Sequence, residues 1–118
     1  MKTKEEIIKN LKLFCGTTQW FKTMFGICFT EGVKYVAESC EAYWLIDAIC
    51  SYQIHPKVRH IPFQIWELIV VEKTAIVTMK EDTGEPCEVT QKIEYTDFPL
   101  DEIKMFLMDG ILLLPTEY

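Results

Sequence analysis

The stretch from Ala42 to Tyr52 is apolar on nearly every side: Tyr43, Trp44, Leu45, Ile46, Ala48, Ile49 and Cys50 surround one acid, Asp47. A surface helix keeps one polar face, so a helix without one has to be wrapped by the rest of its chain. The pattern therefore predicts a central, largely buried helix near residues 42–53, and the remaining sequence must supply the walls around it.

Strands are the natural walls. Phe63 to Val71, Thr74 to Met79 and Glu88 to Tyr95 are rich in β-branched and aromatic residues, and Glu81-Asp82-Thr83-Gly84-Glu85-Pro86 reads as a turn between two of them. Sequential strands with short connections make an antiparallel meander. In Phe63-Gln64-Ile65-Trp66-Glu67-Leu68 neither alternating face is cleanly polar, which predicts a sheet covered on both sides or one with an exposed aromatic patch.

The flanks add helices and short strands. Thr3 with Glu6 forms a capping box, and Ile7, Ile8, Leu11 and Phe14 recur at helical spacing up to Gly16, so a first helix is expected over residues 4–14. The runs Gln19 to Phe25 and Gly26 to Thr30 favour extended chain. Thr30 and Glu31 suit the start of a second helix with Val33, Val36, Ala37 and Cys40 as its apolar stripe. Ile54 to Pro62 holds two prolines and reads as a loop.

Near the C-terminal end, Pro99 sits as in a first helical turn, Thr96 or Asp97 as its cap and Asp109-Gly110 as its stop, which predicts a helix from about Leu100 to Met108. Ile111 to Leu114 reads as one more strand, ended by Pro115. The expectation is an α+β fold in one domain, residues 1–118: an antiparallel sheet, a three-strand meander plus one or two further strands, packed against about three helices.

Composition narrows the functional classes. Hydrophobic residues make up 49% and charged residues 25%, a globular balance, and no apolar run approaches the ~20 residues a membrane helix needs. The start Met1-Lys2-Thr3-Lys4-Glu5-Glu6 lacks the apolar stretch of a secretory signal. Five cysteines, Cys15, Cys28, Cys40, Cys50 and Cys87, are odd in number and contain no CxxC pair, so they read as small buried hydrophobes in a reducing, cytoplasmic setting. The net charge of −6 has the wrong sign for following a phosphate backbone and disfavours direct nucleic-acid binding. It suits a basic protein partner instead.

Few residues carry chemistry. Cys50, His55 and His60 offer one thiolate and two imidazoles at five-residue steps, a weak metal candidate set against a core cysteine beside two solvated histidines. Asp47 is either hydrogen-bonded internally, by Tyr43, Ser51, Gln91, Tyr95 or Thr96, or lines a pocket with Trp44 and Tyr95; internal satisfaction is favoured because buried polar groups are usually paired. Asp97 is better read as a helix cap than as an acid catalyst. Glu117 and Tyr118 are candidate binding residues because neither has an evident structural task. There is no GxSxG, P-loop or GxGxxG. No cofactor is implied and no catalytic residue is assigned.

The blocks Thr30-Glu31-Gly32-Val33-Lys34-Tyr35, Ala42-Tyr43-Trp44-Leu45-Ile46-Asp47, Phe63-Gln64-Ile65-Trp66-Glu67-Leu68, Gln91 to Leu100 and Leu113 to Tyr118 resemble an uncharacterised family of small proteins of bacteria and phages, a domain of unknown function. The resemblance runs along nearly the whole chain. It implies one compact intracellular domain and a phage or mobile-element setting, and it carries over no catalytic residue.

Three functional expectations follow. The leading one is a non-enzymatic protein-interaction module that binds a basic surface. The second is a small-ligand-binding or enzymatic domain with a pocket near Asp47, Trp44 and Tyr95. The third is a homo-oligomer, a dimer in the simplest case, whose C-terminal strand completes a neighbour's sheet.

Overall fold

The computed structural model describes residues 3–13, 20–23, 26–81 and 88–118. The expected helix stop at Phe14 to Gly16, the ends of the aromatic run at Gln19, Met24 and Phe25, the turn from Asp82 to Pro86, and Cys15 and Cys87 lie outside the described residues.

The first helix, α1 (Lys4–Leu11), starts where the capping box places it, with the Thr3 hydroxyl accepting from the Glu6 amide at 3.2 Å. Two short strands follow, β1 (Trp20–Lys22) and β2 (Cys28–Thr30), then α2 (Glu31–Ser39) and α3 (Tyr43–Tyr52). Thr30 caps α2 as its type predicts, accepting from the Val33 amide at 3.3 Å. The proline-containing loop holds one helical turn, α4 (Pro56–Arg59), with Pro56 in its first turn, where its missing N–H costs nothing.

The meander is present as β3 (Phe63–Val71), β4 (Thr74–Lys80) and β5 (Val89–Ile93), each pair antiparallel. It supplies three of the strands described in the sheet. Seven strands run in the order β1-β2-β7-β6-β3-β4-β5, with β6 (Glu102–Met108) and β7 (Ile111–Leu113) between the meander and the N-terminal hairpin. Among the described residues only β2 and β7 pair in parallel. The fold is α+β, with a larger sheet than expected.

One expected helix is a strand. Residues 102–108 carry good helix formers, yet Ile103, Met105 and Leu107 point inward at period two, while Glu102 and Lys104 are exposed. The strand is paired along its length to β3 and at its end to β7. That pairing overrides local helix propensity, a weak force beside burial and a complete ladder. Accordingly, Thr96 caps no helix: its hydroxyl accepts from the Phe98 amide at 3.1 Å, and the turn drops Phe98 and Leu100 into the core.

The helices cover one face of the sheet. On that face Trp66 and Leu68 of β3, Val77 of β4 and Met105 of β6 meet Leu45 and Ile49 of α3. Trp66 is the largest fully buried side chain among the described residues. Its removal would forfeit about 3–5 kcal/mol of packing. The opposite face is partly open. Phe63, Phe106 and Tyr118 form a three-ring cluster there, with centroids 5.1–5.7 Å apart and the Tyr118 ring edge-on to both others. Further along the same face Ile69, Ile76 and Val71 are exposed. β7 is paired on both sides, so it cannot complete a neighbour's sheet without leaving its own.

Candidate functional site

A cleft of about 530 Å³ lies at one end of the sheet. Three elements build it. The C-terminal end of α3 contributes Cys50, Gln53 and Ile54; α4 and the residues after it contribute Arg59, Ile61 and Pro62; and the β6–β7 turn contributes Met108, Asp109 and Gly110, with Gln64 and Leu107 from the sheet. The turn is a two-residue Asp-Gly hairpin with φ of 52° and 74° at its centre, a left-handed pair that this dipeptide adopts readily.

Two glutamines form the polar floor. The Gln53 amide nitrogen donates to the Gln64 side-chain oxygen at 2.9 Å, and the Gln64 nitrogen donates back at 3.0 Å. Gln64 is 2% exposed and is also held by the Val58 carbonyl at 2.9 Å, while the Trp66 indole N–H donates to its oxygen at 2.9 Å. Gln53 is tied to the Ile49 carbonyl at 3.1 Å. Leaving any of these buried groups unpaired would cost about 1–3 kcal/mol, so the network locks α3, α4 and β3 together and holds the floor rigid.

The rim carries charge that the fold does not neutralise. Arg59 and Asp109 both line the cleft, and the one ion pair within 4.0 Å among the described residues is Lys4 with Asp101, on the far side of the sequence. The same cleft is lined by the apolar side chains of Ile27, Ile54, Ile61, Leu107 and Met108.

Cys50 faces this cleft as a thiol. Burial pushes its pKa above the ordinary thiol range; a hydrogen bond with Thr23, at 3.8 Å, pulls the other way, and the charge of Asp47 adds to the rise. A thiol held protonated is a poor nucleophile and a poor metal ligand. His55 and His60, at the two ends of α4, are exposed, and the His55 ring lies 6.2 Å from that of Tyr52. Among the described residues no group of three or more Cys, His, Asp and Glu stands where it could hold a metal ion.

The residues singled out by sequence disperse. Asp47 is exposed, sharing the outer line of α3 with Tyr43 and Ser51 at four-residue steps. Trp44 is half-buried against the core, and Tyr95 is exposed with the Lys73 ammonium 5.9 Å from its ring centre. Asp97 is exposed. None of these four lines the cleft.

Glu117, by contrast, is buried and belongs to the fold. Its carboxylate accepts from the Thr30 hydroxyl at 2.6 Å, the Leu114 amide at 3.0 Å and the Gly32 amide at 3.3 Å. It thereby supplies an acceptor to the first turn of α2 and tethers the short 3-10 turn Pro115–Glu117 to it. Tyr118 completes the aromatic cluster on the open face.

Of the residues singled out by sequence, Cys50 alone lines the cleft, and the others that build it carry a subtler signal. Gln64 alternates with Trp66 and Leu68 on what proves to be the buried register of β3, and a glutamine in such a register has to be hydrogen-bonded inside the protein. That was the available signal.

No curated protein and no solved structure matches this chain. A family model does, over residues 5–118, and by that match the chain belongs to the family of unknown function DUF6876.

Proposed function

We propose that this chain is a non-enzymatic protein-binding module, acting inside the cell, that takes a short apolar peptide segment of a partner into the cleft between α3, α4 and the β6–β7 turn. The observation that carries this reading is the cleft's composition: a largely apolar lining that also holds one guanidinium and one carboxylate, which do not pair with each other. A peptide segment offers the complementary arrangement, with apolar side chains for the wall, an anionic group for Arg59 and a cationic group for Asp109. The volume of about 530 Å³ falls within the ~300–1,000 Å³ typical of sites for small ligands.

The rigid glutamine floor supports binding over catalysis. Its polar groups are committed to one another, and the one nucleophilic side chain at the site, Cys50, is held in its protonated form. The net charge of −6 favours partners whose flanking residues are basic, through steering at long range. An intracellular setting is supported by Cys28, Cys40 and Cys50, all free thiols. The phage or mobile-element setting rests on family resemblance alone.

The test is calorimetric titration of the protein with apolar tripeptides carrying both free termini, beside the same peptides with both termini blocked. Binding of the free forms that falls at least tenfold in Arg59→Met or Asp109→Asn supports the reading. No binding of any tripeptide, or binding indifferent to both substitutions, refutes it.

A further inference from the structure

We propose that the open face of the sheet is a self-docking surface on which two copies of this chain stack face to face. The inference is independent of the cleft. The register of β6, β3, β4 and β5 places Glu102, Ile69, Ile76 and Lys92 in one row across four adjacent strands. All four residues are exposed, Ile69 to 42% and Ile76 to 46%. The row reads acid, isoleucine, isoleucine, base.

Such a row is its own complement. A two-fold axis lying between the two isoleucines and along the strands reverses the row and turns it over. Each Ile69 then rests on the partner's Ile76, and each Glu102 meets the partner's Lys92, twice per dimer. The adjacent row brings the exposed Val71 over the partner's Thr74. Packed sheets rotate by about 30° with respect to each other, and an axis tilted by half of that from each strand direction gives this rotation while the long lysine side chain keeps its reach.

Charge singles out the second copy as the occupant. Neither Glu102 nor Lys92 has an ion-pair partner within 4.0 Å among the described residues. A partner of uniform charge would meet its own sign on this face, at Lys92 and Lys104 if basic and at Glu67 and Glu102 if acidic, whereas a second copy presents the opposite sign at each end of the row. Four strands spaced about 4.8 Å apart give a patch at the small end of stable interfaces, so the association is weak and concentration-dependent.

Sedimentation equilibrium from about 10 μM to about 1 mM reads the outcome directly. The wild-type chain should move toward twice its monomer mass. Glu102→Lys and Lys92→Glu should each weaken association at least tenfold, the two reversals combined should restore it, and Ile76→Lys should abolish it. Because all three positions are exposed, circular dichroism melts should show the variants folded. A wild-type chain that stays monomeric at about 1 mM, a combined reversal that fails to restore association, or a dimer that survives Ile76→Lys overturns the proposal.

Discussion

A methyl group placed on Gly32 would come within 2.6 Å of the Glu117 carboxylate and 2.7 Å of the Leu114 side chain. The first turn of α2 and the last turn of the chain are thus fitted to each other through the absence of a side chain. Eighty-five positions separate the two residues, and the Gly32 amide donates to the Glu117 carboxylate.

Gly32→Ala should therefore destabilise the protein by about 2 kcal/mol, because the carboxylate has to leave the donors it satisfies. The direction is informative. Inside an ordinary helix the same substitution stabilises by about 1 kcal/mol. Urea unfolding of the variant decides between them, and an unchanged or raised midpoint would show that the fit is not needed.

The β3–β4 hairpin stores strain of the opposite kind. Glu72 and Lys73 both occupy left-handed backbone, with φ of 48° and 67°, between the paired ends Val71 and Thr74. The turn demands that geometry, and side-chain-bearing residues other than Asn and Asp pay for it at each position. Replacing the pair by Asn-Gly should raise stability by about 1 kcal/mol, seen as a higher thermal midpoint. A lower midpoint would mean that Lys73, which lies over the Tyr95 ring, contributes more than the strain removes.

Alkaline pH should weaken the fold through its buried thiols. Burial lifts Cys40 from the ordinary 9.0 to about 11, and Cys50 moves the same way. Below the ordinary thiol pKa both states keep Cys40 protonated and its burial carries no penalty. From about pH 9 to about 11 only the unfolded chain loses the proton, so stability falls across that window. Unfolding midpoints at both ends of the window check this. In Cys40→Ala the drop between the two pH values should shrink, and an undiminished drop would assign the loss to other groups.

Much of the fold was legible because its signals are local. The Thr3 and Thr30 caps, the all-round apolar α3 and the β-branched β3–β5 meander are each determined within a few residues and appear where the pattern puts them. Glu102 to Met108 was not legible, since its strand state comes from β3 and β7 on either side. The site failed for a related reason. Asp47 stands out as the only acid in an apolar helix, yet that helix still has an outer line, and sequence does not say which line faces out. Glu117 had no visible task because two of its partners, Thr30 and Gly32, lie far back along the chain.

The proposed function requires recognition at the cleft floored by Gln53 and Gln64 rather than at the residues that stand out in the sequence. Two-dimensional ¹H–¹⁵N spectra during titration with an apolar tripeptide test it most directly, since both side-chain amides and the Gly110 backbone amide report separately. Saturable shifts at those three groups, and none at Asp47 or Tyr95, are expected. Saturable shifts centred on Asp47, Trp44 and Tyr95 with the cleft unmoved would contradict it.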